Sequence, residues 1–342
     1  LIRADNGDWG FLQHWSRRVI KAEGRVLSDE RMNRKEFYDT MLYVSLERED
    51  LPGEDVWNRY IVPRWKEERF EVEVEDGCLD LQFQGDTWGN TVNCLVVYPA
   101  EHAEKAEAWL ARVNKARELN FKKTFTELVP SDGTIEKVRE KDGTIVWKTV
   151  KDPLQRFHEP TAEEKERGFV VFARPSCESV YPKSRPRPDE VVTGVECAVA
   201  GEEYEPLTFS IYPLRDLGAI KVSVGDLKDG SGAFFPRDMI EEGWVEYKIH
   251  RASLGSAAYR CVPRLIRKGN TAPAYREICR RFWFTVRGPV DTPGTFSGVL
   301  RISAERGGAF ALNCTIRVRP FRLEERMDRY FVLCSSAFLP QE

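Results

Sequence analysis

Residues 281–303 read RFWFTVRGPVDTPGTFSGVLRIS, and the fold class turns on them. Phe282, Phe284 and Val286 alternate with Trp283, Thr285 and Arg287, the period-two pattern of a strand with two different faces. Gly288, Pro289, Thr292, Pro293 and Gly294 then punctuate the chain. Pro289 removes a backbone donor, and Pro293-Gly294 suits the centre of a type II turn. A second, mostly β-branched strand follows over 295–303, so the stretch predicts a hairpin of a β-sandwich.

Outward from this stretch, the second half is written almost entirely in short strands and turns. Residues 169–173 form a short apolar run and 182–188 (PKSRPRP) an extended polyproline-like one. Further strands are predicted over 193–199, 207–212, 220–224, 244–250 and 311–318, while the chain near 262–263 and over 269–273 reads as less regular. Short strands at this spacing, without a long helix, predict an antiparallel sandwich.

The first half mixes two periods. Phe11, Leu12, Trp15, Val19 and Ile20 share one stripe, with Arg17, Arg18 and Lys21 away from it, which predicts a helix stopping near Gly24. Residues 37–46 read as a strand. Phe70, Val72 and Val74 alternate with glutamates, Asp76-Gly77 offers a turn, and Leu79, Leu81 and Phe83 alternate with polar residues. That pattern predicts a hairpin with one apolar and one acidic face. A strand over 92–98 and a helix over 101–119 follow, the helix striped by Ala106, Trp109, Leu110 and Val113. A hairpin then pairs 134–138 with 144–150 about Asp142-Gly143, and 151–167 reads as a charged, Pro-containing linker.

The expected fold is mainly β: two antiparallel β-sandwich domains, jelly-roll or immunoglobulin-like, with a few peripheral helices. The expected divisions are 1–120, a hairpin and linker over 121–167, a second sandwich over 168–323, and 324–342 as a tail or the start of a following domain. Tyr330-Phe331-Val332-Leu333 reads as a strand in that last part.

Composition sets outer limits. A chain of 342 residues suggests about two domains, and 42% apolar with 31% charged residues is ordinary soluble composition. A net charge of -3 argues against nucleic acid as a partner. No apolar run approaches the roughly 20 residues of a membrane span. No signal-peptide pattern opens the chain, and a start at Leu1 rather than Met points to a processed or excised chain. The cysteines (Cys78, Cys94, Cys177, Cys197, Cys261, Cys279, Cys314, Cys334) show no C-x-x-C spacing and are expected to be mostly free thiols.

Three stretches carry a family resemblance. Trp283-Phe284-Thr285-Val286, Pro289 and 292–298 (TPGTFSG) resemble the W-x-T-V-x-x-P…P-G-T-Y-x-G hairpin of sandwich modules beside glycoside hydrolase barrels. Residues 200–209 (AGEEYEPLTF), with Tyr212, Leu214, Leu217, Val222-Ser223-Val224 and Asp226-Leu227, are similar to those modules' G-E-x-E-P-x-x-F…V-x-V-S-D-L text. Residues 318–323 (VRPFRL) are similar to their closing V-x-P-F-x-L. The resemblance is to accessory β-sandwich modules of glycoside hydrolase family 123-like, bacterial β-N-acetylgalactosaminidase-like, proteins, and it covers about half of the chain. In that family a (β/α)₈ barrel holding the catalytic carboxylates follows the sandwich. The resemblance implies that the second domain supports such a barrel and that the first is a galactose-binding-like, carbohydrate-binding jelly roll. It also implies a carbohydrate and the downstream barrel as partners, and an extracellular or periplasmic location. Residues 324–342 fall far short of the roughly 200 that a barrel needs, so this chain alone is expected to be inactive, with no catalytic residue.

Glu202, Glu203 and Glu205 form a tempting cluster, since retaining glycosidases hold two carboxyl groups about 5 Å apart. They read instead as turn residues, one of them capping backbone donors. His14, His102, His158 and His250 lack metal-ligand spacing, and no Walker, G-x-S-x-G or G-x-G-x-x-G motif occurs, so neither metal nor cofactor is expected. Trp15, Trp109, Trp244 and Trp283 lie on periodic elements and read as core, while Trp57, Trp65 and Trp88 lie in or beside loops. A pyranose stacks its apolar face on such a ring while Asn and Asp take its hydroxyls. Residues 85–91 (GDTWGNT) hold both kinds together, so Trp88 is the candidate platform of a glycan site, with Asp86 and Asn90 as its hydrogen-bonding partners. A Trp88 folded back over the sandwich is the other reading. The leading function is a non-catalytic sandwich region of a glycoside hydrolase-like protein, supporting a barrel and binding glycan. An adhesion or assembly sandwich binding another protein is the alternative, and a self-sufficient enzyme would need a cleft gathering carboxylates from both domains.

Overall fold

The computed structural model describes residues 2–5, 16–33, 36, 48–62, 65–86, 92, 94–128, 134–139, 145–150, 156–251 and 258–323. Its elements begin with β1 (Ile2–Asp5), β2 (Arg17–Ala22), β3 (Arg25–Arg31), β4 (Trp65–Glu68), β5 (Leu81–Gly85) and β6 (Cys94–Leu95). Helix α1 (Ala103–Thr124), β7 (Thr126–Leu128), β8 (Thr134–Arg139), β9 (Ile145–Val150) and helix α2 (Ala162–Arg167) follow. Strands then dominate: β10 (Phe169–Phe172), β11 (Gly194–Gly201), β12 (Tyr204–Pro213), β13 (Gly218–Val224), β14 (Ile240–Glu241) and β15 (Gly243–Arg251). The last are β16 (Ala258–Lys268), β17 (Thr271–Ala274), β18 (Arg280–Arg287), β19 (Gly294–Ala304) and β20 (Ala309–Arg322).

The protein is mainly β. A seven-stranded sheet runs β10-β12-β18-β15-β16-β7, with β14 also on β18, and a five-stranded sheet runs β11-β20-β19-β13-β17. Both are largely antiparallel, with β11 parallel to β20 and β7 parallel to β16. Two three-stranded sheets, β4-β1-β6 and β3-β2-β5, and the two-stranded β8-β9 complete the described set.

Alternation explains the main core. Phe282, Phe284 and Val286 of β18 and Leu207, Phe209 and Ile211 of β12 point inward and are buried. Phe209 stacks on its cross-strand neighbour Phe282 with ring centroids 5.5 Å apart. The facing sheet contributes Ile220, Val222, Leu300, Ile302, Leu312, Ile316 and Val318, so the interior of one sheet packs on that of the other. All the buried residues of this core fall between Phe169 and Val318.

The structure corrects several sequence expectations. β18 and β19 are not a hairpin: they lie in different sheets, and 288–293 cross from one layer to the other. Gly288 holds the crossing against the turn at 200–203. Its N–H donates to the Glu203 carbonyl and its carbonyl accepts from Glu202 N–H, both at 2.9 Å. An added Cβ there would stand 1.8 Å from the Ala200 carbonyl oxygen, so only glycine permits the approach.

Val19 and Ile20 belong to strand β2 rather than to a helix. Glu23 and Gly24, at φ 49° and 70°, make the tight turn into β3, and two positive φ values in succession suit a right-twisted hairpin. β5 pairs with β2, while 69–80 joins no strand, so the predicted hairpin over 70–83 does not form. Residues 262–263 and 271–273, expected to be less regular, lie in strands β16 and β17. β16 runs through Pro263, beside a bulge at which Arg264 is the extra residue, a place where a strand tolerates proline. Residues 162–167 are helical: Thr161 accepts from Glu164 N, Glu164 accepts from Thr161 N, and Gly168 in the left-handed region ends the turn.

The tryptophans divide differently as well. Trp109 is 45% exposed, and Trp283 lies half-buried on the outer face of its strand beneath Arg281. Trp244 does pack against the main core. The expected helix over 101–119 forms and extends to Thr124, and the hairpin at 134–150 forms as β8-β9. Trp15, Trp88, Asn90, the expected strand at 37–46 and 330–333 lie outside the described residues.

Candidate functional site

β15 meets β18 at a single cross-strand pair, Trp244 with Phe282, and pairs along its length with β16 on the other side. Its remaining edge donors on the β18 side need partners, because buried backbone N–H groups are costly to leave unmet. Residues 48–51 supply them. Asp50 N–H donates to the Tyr247 carbonyl at 3.1 Å, Tyr247 N–H donates to Glu49 Oε1 at 3.1 Å, and Ile249 N–H donates to Asp50 Oδ2 at 2.8 Å.

Arg280 sits at the head of the inward row Arg280, Phe282, Phe284, Val286 and is fully buried. Its Nη2 donates to Glu49 Oε2 at 2.9 Å and its Nη1 to Glu49 Oε1, a bidentate pair, while Nε donates to the Pro273 carbonyl at 2.9 Å. The rings of Trp244 and Tyr247 lie 5.2 and 5.4 Å from the guanidinium carbon. Burial alone would drive this guanidinium down; the Glu49 carboxylate outweighs that and holds it above its ordinary value.

Asp50 is fully buried and is met by the Tyr60 hydroxyl, by Ile249 N–H and by the Arg59 guanidinium. Arg59 and Tyr60 come from a five-residue turn of π-helical geometry, Trp57–Ile61, whose Trp57 ring rests 5.2 Å from Phe121 at the end of α1. Burial pushes the Tyr60 hydroxyl up, and the neighbouring Asp50 adds to it, so this phenol stays protonated and donating. Gly53 N–H donates to Glu127 of β7 at 2.8 Å. Residues 48–62 and the end of α1 therefore pack beside the β15-β16-β7 end of the seven-stranded sheet.

Other interior charges are likewise engaged by the fold. Glu246, fully buried, takes Arg267 and Lys248, the latter at 2.6 Å. Arg174 pairs with Glu190 at 2.6 Å, and Arg281 donates to the carbonyls of Arg174, Pro175 and Glu178. In the turn after β11, Glu203 caps Ala200 N–H at 2.7 Å and Glu202 pairs with Arg287. One of the three glutamates does cap a backbone donor. Among the described residues no group of three or more His, Cys, Asp or Glu side chains could hold a metal ion, and no helix is long and apolar enough to cross a membrane.

Of the predicted glycan-site residues, Asp86 is described. Its carboxylate accepts from Ser16 N–H at 2.9 Å, from the Ser16 hydroxyl and from Arg17 N–H at 3.4 Å, which fixes the end of β5 to the start of β2. Burial pushes this carboxyl up, and the three donors outweigh it and hold it below the usual range. The Glu49–Arg280 pair is not legible in the sequence. A signal for half of it exists: strand alternation puts Arg280 on the core side, where a cation requires an acid. Nothing local identifies Glu49, which is 231 positions away.

No family model matches the chain, and no curated protein sequence does. Among solved structures it is similar to a family 123 glycoside hydrolase from Clostridium perfringens, at 12% identity and a TM-score of 0.32, over 36% of this chain. The chain spans only 22% of that hydrolase's length. It is also similar to the PapD-like domain 7 of human CEP192 (7% identity, TM-score 0.25, 51% of this chain and 100% of that one). A third similarity is to MyfA, the major subunit of Myf fimbriae from Yersinia enterocolitica, in complex with galactose (12%, 0.22, 38% and 91%). These are distant β-rich likenesses.

Proposed function

We propose that the chain is a non-catalytic β-sandwich region of a glycoside hydrolase-like protein, one that braces a catalytic domain and binds glycan weakly through the 86–91 loop. The observation that supports the first half is where the carboxylates go. Glu49, Asp50, Glu190, Glu203 and Glu246 each meet an arginine, a lysine or backbone donors, so they hold elements together rather than face a substrate. The glycoside hydrolase setting rests on the wording of 200–227, 283–298 and 318–323. In the glycan half, Trp88 is the stacking platform and Asn90 a hydrogen-bonding partner. Asp86, already committed to Ser16 and Arg17, anchors the loop.

A second reading, an assembly sandwich with a protein partner, is favoured by one feature. Val290, Phe321 and Leu323 are exposed around Gly201, whose carbonyl accepts from Leu323 N–H. Incubation with an aryl N-acetylhexosaminide tests the non-catalytic claim. The expected outcome is no turnover; turnover abolished by a single carboxylate substitution would overturn it.

A further inference from the structure

We propose that residues 48–62 form a releasable strap, and that the cleft they fill beside β15 is a binding site for an extended segment carrying adjacent Glu and Asp. The chain's own Glu49-Asp50 is its occupant in the structure. This goes beyond the sandwich's supporting role and does not depend on the glycan site.

The strap stands outside the main core. That core is built entirely from residues between Phe169 and Val318, whereas the strap rests through Leu51 on a small separate cluster of Tyr247, Cys261 and Ile278. Only Asp50 and Val56 of its residues are buried. Its attachment is polar at one end, Glu49 on Arg280, Asp50 on β15 and Lys248 donating to the Arg48 carbonyl, and at the other Gly53 N–H meets Glu127 and the Trp57 ring rests on Phe121. Segments with few buried apolar contacts open locally while the rest of a protein stays folded.

The cleft recognises chemistry that other segments can present. The N–H groups of Tyr247 and Ile249 read two carboxylates in register, the Tyr247 carbonyl takes one backbone N–H, and Arg280 demands a bidentate acid. This is strand addition with a charge filter. A segment without the leading acid would leave Arg280 buried and unpaired, which is strongly disfavoured. An acidic strand therefore competes with the strap, and a neutral one does not.

The test uses the full chain and a fluorescent peptide of residues 48–62. Hydrogen exchange should show amides of 50–62 and those of Tyr247 and Ile249 exchanging together, at least about tenfold faster than amides of 207–211 and 282–286. The peptide should bind the Glu49→Gln/Asp50→Asn chain at least about tenfold more tightly than the parent, and a peptide bearing those two substitutions should not bind. Exchange of the strap at the rate of the core overturns the proposal. So does failure of the peptide to bind a variant whose core amides stay protected. A variant whose core amides exchange as fast as its strap amides shows the strap to be part of the cooperative core, and overturns it equally.

Discussion

Glu49 and Arg280, 231 positions apart, form a bidentate ion pair with 2.9 Å between Oε2 and Nη2, and the arginine is wholly shut off from solvent. One end of the pair is at the head of β18, and the other is in a segment, 48–62, that forms no strand. The pair is thus one of the points, with Asp50 on β15 and β7 on β16, at which the first half of the chain is bonded into the second half's sheet.

Removing one member of a buried pair costs about 3–5 kcal/mol, whereas replacing both by apolar residues of similar volume is often close to neutral. Glu49→Leu and Arg280→Leu should each destabilise the protein in urea, and the double substitution should cost less than the sum by at least about 1 kcal/mol. Additive losses would show that the two side chains do not depend on each other.

Gly288→Ala should be among the most damaging single-methyl additions, because its Cβ would meet the Ala200 carbonyl at 1.8 Å where the chain crosses between sheets. A loss of about 1–3 kcal/mol or more is expected. Gly230→Ala, with nothing within 4 Å of the new atom, is the control and should melt within a degree or two of the parent. Equal melts for the two variants would refute the crossing described here.

Thiol labelling should follow burial. Cys78 and Cys177 are exposed, whereas Cys261, Cys279 and Cys314 are buried. Burial pushes the Cys314 thiol up to about 12, and burial with the nearby Cys314 pushes Cys197 to about 12 as well, so neither forms much thiolate at pH 8. Mass spectrometry after brief alkylation should find Cys78 and Cys177 modified and Cys314 intact. Early modification of Cys314 would contradict the packing of β20.

Acid sensitivity should trace in part to Glu164. Burial raises its carboxyl, and His158 with the Thr161 backbone donor outweighs that, leaving the folded value below the ordinary one. A depressed carboxylate stabilises the fold above its unfolded value, about 4.3, and that stability disappears as pH falls through the folded value. Melts between pH 6 and 3 should therefore decline less steeply for Glu164→Gln than for the parent. Parallel curves would remove Glu164 from the account.

The mainly β character was legible because alternation is local: Phe282, Phe284 and Val286 announce an inward face whatever their partners. The partners were less legible. Gly288-Pro289 marks a break equally well for a hairpin and for a crossing between sheets, and the choice depends on the distant turn at 200–203. Val19 and Ile20 fit a helical stripe and a strand alike, and what decides is the presence of β3 and β5 on either side. Arg280 showed its inward position in the sequence but not its acid. Asp86 was visible as a loop carboxylate, while its commitment to Ser16 requires the fold.

Calorimetric titration of the parent and of Trp88→Ala with galacto- and gluco-configured oligosaccharides, beside a thermal melt of each, tests the proposed function most directly. A single aromatic platform is worth about 0.5–1.5 kcal/mol beyond area burial, which suits binding on the order of millimolar, useful when tethered to a catalytic domain. The predicted result is weak sugar heat in the parent, its loss in Trp88→Ala, and melts that stay together. No sugar heat in the parent, with a melting temperature lowered by several degrees in the variant, would contradict it and make Trp88 a packing residue.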